Sequence, residues 1–226
     1  MGKLNIVSTP IGNLKDITLR AIETLQEVDG IICEDSRRAS TLLNHFKIKK
    51  PLIVLNDFNE TVVFPKVLQK LMSGQHLALM SDAGTPLIAD PGYKLVRECL
   101  SRNLEVEAIP GPSSVITALT LSGLPPDKFL FLGYPPEKQG HRLRLFHYLL
   151  DRKNNENLKV TYIMFVPPHK LIRTLEDLKE ILSDIDVVLA HELTKIHQSV
   201  SKKRLGSWLN DLKNPKGEYV LLFRLD

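Results

Sequence analysis

The loop from Ser81 to Tyr93 carries the residue types best suited to chemistry in this chain. It follows a short apolar run, Leu77–Met80, and its first polar or flexible residues are Ser81, Asp82, Gly84 and Thr85. Apolar runs bounded by turn residues are typical of buried strands, and open α/β sheets bind ligands beyond the carboxyl ends of their strands. Two glycines and two prolines restrict the backbone of this loop. We therefore expect a rigid binding loop whose first residues, Ser81 to Thr85, offer one carboxylate and two hydroxyl groups.

Two other loops follow predicted strands and are also rich in small residues. Ser8–Asn13 follows the first strand, and Pro110–Ser114 follows the fifth. Small residues allow a ligand to approach the backbone closely, and a helix that begins at Ser113 or Ser114 has free N–H groups that favour a carboxylate or phosphate. Ordinary strand-to-helix turns explain any one of these loops. Three of them in one half of the chain favour a ligand site at one edge of a sheet.

Missing motifs argue against several common kinds of site. The chain has no G-x-G-x-x-G dinucleotide fingerprint, no P-loop and no G-x-S-x-G elbow. No spacing of Cys and His suggests a metal site, and Cys33 and Cys99 in apolar contexts favour buried free thiols in a reducing cytoplasm. No apolar stretch approaches the ~20 residues that span a bilayer. Because Met1–Asn5 leads directly into a strand, we expect no signal peptide.

Positive charge is clustered although the formal net charge is only +4. The clusters are Arg37–Arg38, Lys47–Lys50, Lys138–Arg144 and Lys202–Arg204. Such clusters suit a polyanion such as nucleic acid, whereas solvated charge explains any single cluster equally well. Lys138–Arg144 is the best candidate for nucleic acid, because it follows a Pro-rich turn and opens a predicted helix.

The first half of the chain alternates short apolar runs with segments of helical periodicity. Strands are predicted at 4–8, 30–33, 52–55, 75–80 and 106–109. Helices are predicted at 17–28, 36–46, 62–72, 93–102 and 113–121. This alternation predicts a mainly parallel sheet covered by helices.

The second half has more closely spaced strands. They are predicted at 129–133, 160–166, 187–190, 198–201 and 219–223, with helices at 140–150, 169–182 and 205–212. This spacing favours a mixed sheet with antiparallel neighbours, and the Pro- and Gly-rich segment 123–128 marks a domain boundary. We therefore expect two α/β domains, 1–122 and 123–226, with a cleft between them.

Five segments together resemble a known family in their order and spacing. They are Ser8–Leu14, Glu34–Arg37, Ser81–Tyr93, Pro110–Ser114 and Glu192–Lys195. Together they resemble the ribosomal RNA small subunit methyltransferase I family, which belongs to the tetrapyrrole methylase superfamily. The resemblance covers nearly the whole chain. The resemblance implies a two-domain tetrapyrrole methylase-like fold, a cytoplasmic homodimer and S-adenosylmethionine in the interdomain cleft. It also implies 2′-O-methylation of a cytidine ribose in small-subunit (16S) ribosomal RNA.

The resemblance also implies a set of cofactor-binding residues. By position they are Ile11, Gly12, Met80, Ser81, Asp82, Thr85, Ser113, Ser114, Phe165, Val166 and Leu193. Backbone groups make many of these contacts in the superfamily, so side-chain identity is a weak guide. Asp82 is the side chain we favour, as a partner for ribose hydroxyls or for the amino group of the methyl donor. The alternative for Asp82 is a turn or capping carboxylate.

The expected methyl transfer needs no metal, and a base near the 2′-hydroxyl would assist it. Candidate catalytic residues are Glu192, Lys195, Glu34 and Asp35. Lys195 would serve as a base only if its pKa is lowered, and otherwise it binds phosphate or orients the nucleophile. A salt-bridged strand end remains an equal alternative for Glu34, Asp35 and Arg37. RNA contacts are expected from Arg37, Arg38, Lys138, Arg142 and Arg144.

Three departures from the family leave rival functions open. The family segment Tyr-Glu-Ser-Pro-His-Arg is Phe165–Lys170 here, so Val166 replaces an acidic residue while His169 is kept. The usual His-containing segment after the third strand is Asn56–Glu60 in this chain, and the sequence stops at Asp226, where relatives usually continue into a small helical extension. The rivals are a small-molecule methyltransferase of the tetrapyrrole type and a non-catalytic RNA- or ribosome-binding relative. The basic clusters and the Glu34–Arg37 segment argue against the first rival, while Val166 keeps the second open.

Overall fold

The first unit, Met1–Ser113, contains five strands and four helices in its described part. The structure is a computed structural model that describes residues 2–56, 58–156 and 159–225. In chain order the elements of this unit are β1 (Lys3–Val7), α1 (Leu19–Glu27), β2 (Gly30–Cys33), α2 (Ser36–His45), β3 (Leu52–Val54), α3 (Glu60–Met72), β4 (Leu77–Met80), α4 (Tyr93–Ser101) and β5 (Glu105–Ile109).

The first sheet has the order β3-β2-β4-β1-β5, and all its pairings are parallel. Strands β2 and β4 are buried along their whole length because helices cover both faces. Helices α1 and α2 enclose one hydrophobic cluster, and α3 and α4 enclose another. The predicted parallel sheet is therefore confirmed, and the carboxyl ends of β2, β4, β1 and β5 lie side by side.

The second unit, Ser114–Asp226, contains a five-stranded mixed sheet. Its described elements are α5 (Ser114–Leu121), β6 (Phe129–Phe131), α6 (Gln139–Glu156), β7 (Thr161–Val166), α7 (Pro168–Leu182), β8 (Asp186–His191), β9 (Ser199–Arg204), α8 (Leu205–Asp211) and β10 (Tyr219–Arg224). The sheet order is β6-β7-β10-β8-β9, and only the β6–β7 pair is parallel. The core of the unit lies where α6, α7 and α8 pack on this sheet. The predicted mixed sheet is confirmed.

The two units meet in sequence at Ser113, whereas the predicted boundary lies at residue 122. The two divisions differ by helix α5, which packs against β10 and therefore groups with the second unit. The predicted cofactor cleft stays a prediction.

Two element ends differ from the predicted ones by three residues or more. Helix α6 continues through a polar stretch to Glu156, where the sequence predicts an end near residue 150. Its polar residues are compatible with a helix, and Lys153 favours the negative end of the helix dipole. Asn157, the end of the predicted polar stretch, lies outside the described residues. Strand β9 extends to Arg204 because its basic residues pair with Asp186 across the edge of the sheet. No helix in the described ranges is long and apolar enough to cross a membrane.

Candidate functional site

The loops that follow β1 and β4 are joined by backbone hydrogen bonds. Thr9 and Gly84 form an antiparallel bridge, with N–O distances of 2.9 Å and 3.0 Å. The Thr9 hydroxyl donates to the carbonyl of Ser81 at 3.2 Å, and the Ser81 hydroxyl donates to the carbonyl of Gly84 at 3.0 Å. Gly84 has a φ of +86°, a conformation that favours glycine. The start of the β4 loop is therefore held by backbone and hydroxyl hydrogen bonds, both within the loop and to the β1 loop.

The loop after β5 joins the same network through hydroxyl groups. The Ser8 hydroxyl donates to the Thr85 hydroxyl at 3.3 Å, and Thr85 donates to the carbonyl of Pro112 at 3.0 Å. A Cβ atom at Gly111 would lie 2.9 Å from the Cβ of Ser8, so these two loops touch where only glycine fits without a shift. The structure therefore brings together the three loops that the sequence singles out.

The predicted cofactor residues of the first unit have different surroundings within this network. Ile11, Met80 and Ser81 are buried, Gly12 is exposed, and Thr85 and Ser113 are partly buried. Buried side chains such as Ile11 and Met80 can meet a ligand only through a small part of their surface. This agrees with a site in which backbone groups make most of the contacts.

Asp82 connects the β4 loop to the loop after β2. One carboxylate oxygen accepts the N–H of Asp35 at 3.2 Å, and the other lies 3.5 Å from Nε of Arg38. Its side chain is 20% exposed. These contacts support the turn-carboxylate alternative. A carboxylate has about four acceptor positions, so Asp82 still has capacity for ribose hydroxyls.

Asp90 is a carboxyl group at this edge that sequence reasoning missed. Burial, together with the negative charges of Glu34 and Asp82, raises the pKa of Asp90 to about 6, and a hydrogen bond with Ser81 opposes this shift. A carboxyl group that titrates near neutral pH is typical of functional sites. The signal was present in the sequence, since Asp90 belongs to the same loop as Asp82 and precedes a proline.

Asp35 has a structural task at the start of α2. Its carboxylate accepts the N–H of Arg37 at 2.8 Å as the helix N-cap and binds the Arg37 guanidinium at 2.6 Å. These hydrogen bonds lower the pKa of Asp35 to about 2, which makes it a weak base. For Asp35 and Arg37 the structure therefore favours the salt-bridged strand end over catalysis. Arg37 and Arg38 remain largely exposed, as an RNA contact requires.

The Glu192–Lys195 turn in the second unit holds a triad of charges. Nζ of Lys195 lies 2.9 Å from Glu192 and 2.8 Å from Glu218, and Glu192 also accepts the N–H of Glu218 at 2.8 Å. Burial lowers the pKa of Lys195, but hydrogen bonds to both carboxylates outweigh it and raise the pKa overall. The Lys195 hydrogen bond lowers the pKa of Glu192. Lys195 thus stays a cation, and it does not have the lowered pKa that it would need to act as a base.

This turn is also strained. Glu192 and Thr194 have φ values of +49° and +65°, and a β-branched residue such as Thr194 rarely adopts this conformation. The buried Thr194 hydroxyl has no hydrogen-bond partner among the described residues. Strain of this kind costs about 1–3 kcal/mol and concentrates at functional sites. The sequence carries no signal for it.

The other cofactor candidates of the second unit lie at the end of β7 and in the Glu192–Lys195 turn. Phe165 packs edge to face on Phe131, with ring centroids 4.8 Å apart. Val166 is 1% exposed in the core and Leu193 is also buried. The position of the family's acidic residue therefore contributes packing in this chain. Ser114, at the start of α5, is partly buried.

The predicted RNA contacts of the Lys138–Arg144 segment divide into two kinds. Lys138 and Arg144 are exposed. Arg142 is buried: its guanidinium lies 2.7 Å from Asp177 and donates to the carbonyls of Pro136 and Glu137. Its predicted RNA contact is wrong, because Arg142 is committed to an internal ion pair that holds the start of α6.

The cysteines are buried free thiols, as predicted. Burial raises the pKa of Cys33 and of Cys99 to about 11, so both stay protonated and unreactive near neutral pH. In the part of the chain that the structure describes, no group of three or more His, Cys, Asp or Glu residues is placed to hold a metal ion.

The chain matches a methylase family along most of its length. Residues 3–208 match the Tetrapyrrole (Corrin/Porphyrin) Methylases, and the chain therefore belongs to that family. A ribosomal RNA small subunit methyltransferase I from Thermotoga maritima is 42% identical over 224 residues, which are 98% of each chain. The relative from Escherichia coli O157:H7 is 45% identical over 227 residues, 98% of this chain and 77% of its own. Within the methylases, the chain is a member of the ribosomal RNA small subunit methyltransferase I family.

Solved structures confirm the predicted fold class. A diphthine synthase superposes with a TM-score of 0.75 at 17% identity, covering 98% of this chain and 89% of its own. A uroporphyrin-III-C-methyltransferase from Thermus thermophilus gives 0.65 at 17% identity, with coverage of 98% and 94%. At this identity the likeness concerns the fold alone.

Proposed function

We propose that the protein transfers a methyl group from S-adenosylmethionine to the ribose 2′-oxygen of a cytidine in small-subunit ribosomal RNA. The observation that carries the proposal is the hydrogen-bonded network of the loops after β1, β4 and β5, in a chain that is 42% identical to a ribosomal RNA methyltransferase over nearly its full length. The relatives are named ribosomal RNA small subunit methyltransferase I, and this name states ribosomal RNA of the small subunit as their substrate.

The first-unit loops fit a nucleoside cofactor by the chemistry of their donors and acceptors. The exposed backbone at Gly12 gives close access, and the free acceptor positions of Asp82 suit ribose hydroxyls. When bound, S-adenosylmethionine supplies a methyl group already activated by a positively charged sulfur. Ser113, Ser114, Phe165, Val166 and Leu193 remain predictions as further cofactor contacts.

Charged side chains account for the remaining roles in the proposal. Lys195 is held as a cation by Glu192 and Glu218, which suits a phosphate contact or the orientation of the nucleophile. Glu34 remains the candidate base, and its carboxyl group interacts with that of Asp90. The proposed partner is small-subunit RNA or the small ribosomal subunit. A homodimer and a cytoplasmic location belong to the same proposal.

The first experiment measures cofactor binding by calorimetry with the full chain. We expect S-adenosylmethionine to bind, and Asp82→Ala to weaken binding by about tenfold, since a hydrogen bond to a charged group is worth roughly 1.5–3 kcal/mol. Asp211→Ala is the matched control, because Asp211 pairs with Lys203 on an exposed surface. Undiminished affinity in Asp82→Ala would remove this side chain from the site. No affinity in the unmodified protein would favour a binding-only relative.

The second experiment assigns the substrate class. Labelled methyl groups are offered with small-subunit particles, with naked small-subunit RNA and with a porphyrinoid. We expect label in the RNA of one of the first two samples. Label in the porphyrinoid alone would favour the small-molecule rival.

A further inference from the structure

One face of helix α6 combines basic and aromatic side chains at helical spacing. His141, Arg144 and Tyr148 are exposed on it, and Tyr148 is 54% exposed. The guanidinium of Arg152 lies 5.7 Å from the centroid of the Tyr148 ring, one turn further along. The opposite face of the helix is buried in the core through Phe146, Leu149 and the Arg142 ion pair.

A groove beside the edge strand β6 continues this face. It is lined in part by Lys128, Phe129, Arg152 and Tyr162, so Arg152 belongs to both the helix face and the groove. Phe129 is 42% exposed, although aromatic side chains are usually buried. We name the α6 surface by its members: Lys128, Phe129, Lys138, His141, Arg144, Tyr148 and Arg152.

Two cations of the α6 surface, Lys138 and Arg144, differ from the lysines of strand β9. Lys202 and Lys203 lie 3.2 Å and 2.7 Å from Asp186 and Asp211, so neighbouring carboxylates neutralise them. Among the described residues, neither Lys138 nor Arg144 has such a carboxylate partner. Unneutralised cations attract a polyanion most strongly, because each phosphate contact releases a counterion.

We propose that the α6 surface binds a single-stranded segment of RNA. Lys138, Arg144 and Arg152 contact phosphates, while the exposed rings of Tyr148 and Phe129 stack on unpaired bases. A basic track with interspersed aromatic rings is the usual arrangement for single-stranded nucleic acid. Arg144 and Arg152 are eight residues apart, about 12 Å along the helix axis, which permits separate phosphate contacts. The inference rests on the proposed function for its partner, RNA, and assigns that partner a surface.

The test measures the affinity of the full chain for an unstructured RNA oligonucleotide by fluorescence anisotropy over a series of salt concentrations. We expect Tyr148→Ala to weaken binding by at least about fivefold, through loss of one stacked base, and Tyr148→Phe to retain it. Arg144→Ala combined with Arg152→Ala should reduce the salt slope by roughly 1.4, or 0.7 for each lost phosphate contact. The matched control is the double variant Lys202→Ala with Lys203→Ala. Its RNA affinity should stay within twofold of the unmodified protein, and its salt slope within 0.5.

Either of two results from these binding samples would overturn this inference. One is unchanged RNA affinity in the α6 variants, with their fold verified by circular dichroism. The other is a change of oligomeric state in Tyr148→Ala by sedimentation, which would make the surface a contact between protein chains. Methyl transfer to small-subunit particles is measured separately with the same protein variants. If RNA binding depends on the α6 surface but no methyl transfer occurs, the proposed function alone is contradicted. If methyl transfer occurs and its KM is unaltered in the α6 variants, this inference alone is contradicted.

Discussion

The loop network of the first unit and the Glu192–Lys195 turn of the second are built in different ways. The loop network uses backbone amides, hydroxyl groups and close glycine contacts, with N–O distances near 3 Å across the Thr9–Gly84 bridge. The turn uses a lysine held by two carboxylates on a strained backbone. The first arrangement resists a change of shape, and the second resists a change of charge.

This difference separates two tasks that a methyltransferase must perform. A preformed set of backbone groups is suited to holding a cofactor, whereas a fixed cation suits a phosphate or the orientation of a nucleophile. Substitutions in the two regions should therefore affect different measured quantities.

The largest effect is expected for Lys195→Met. The change leaves Glu192 and Glu218 as neighbouring carboxylates without their shared cation. We expect kcat for methyl transfer to fall by about 100-fold, the scale of a lost positioning contact, with cofactor affinity within twofold of the unmodified protein. Lys203→Met is the control, as an exposed lysine paired with Asp211. Nearly full kcat in Lys195→Met would make the triad purely structural.

A smaller effect is expected for Gly111→Ala, which should change cofactor affinity where Lys195→Met changes kcat. The added Cβ would lie 2.9 Å from the Cβ of Ser8 and push two loops apart. Overpacking of this kind costs about 1–3 kcal/mol, so we expect cofactor affinity to weaken by about tenfold in calorimetry. Gly140→Ala, whose Cβ meets nothing within 4 Å, should leave cofactor affinity unaltered. Equal affinities in both variants would contradict the close contact as a determinant of the site.

The smallest effect concerns the pH dependence of stability through Asp90. Its pKa is raised from 3.8 to about 6 by burial, so between these values an unfolded chain releases a proton that the folded chain keeps. The free energy of unfolding therefore falls as pH rises from about 4 to about 6 and then levels off. Asp90→Asn should remove this slope, a gain of about 1 kcal/mol at pH 7 because solvent screens a partly exposed group. Urea unfolding over this pH range provides the measurement.

The matched control for Asp90 is Asp35→Asn. Asparagine remains a good N-cap, and the lowered pKa of Asp35, about 2, places its titration below this pH window. The control should keep the slope between pH 4 and pH 6. Loss of the slope in both variants would indicate that the slope belongs to the acidic cluster as a whole.

The element order of both units was predictable from the sequence because most strands are short apolar runs bounded by turn residues. The bounds of β2 agree with the prediction residue by residue. The three loops of the network were predictable because small residues are concentrated at the ends of three predicted strands. The continuation of α6 to Glu156 was not, because a polar stretch carries no apolar periodicity.

The site contains features that no local pattern reveals. Arg142 and Arg144 are two residues apart in one basic segment, yet Asp177 draws the first into the core and leaves the second exposed. The raised pKa of Asp90 depends on burial and on Glu34, which is far away in sequence. Partners distant in sequence decide both cases, so residue type alone could not distinguish an RNA contact from an ion pair.

The most direct test of the central claim is to locate the transferred methyl group. Small ribosomal subunits are incubated with the protein and isotopically labelled S-adenosylmethionine, and the RNA is digested to nucleosides for mass spectrometry. The proposed function predicts label in 2′-O-methylcytidine from small-subunit RNA, at a rate that falls in Lys195→Met. Label on a base, or no label in RNA from a protein that binds the cofactor, would contradict it.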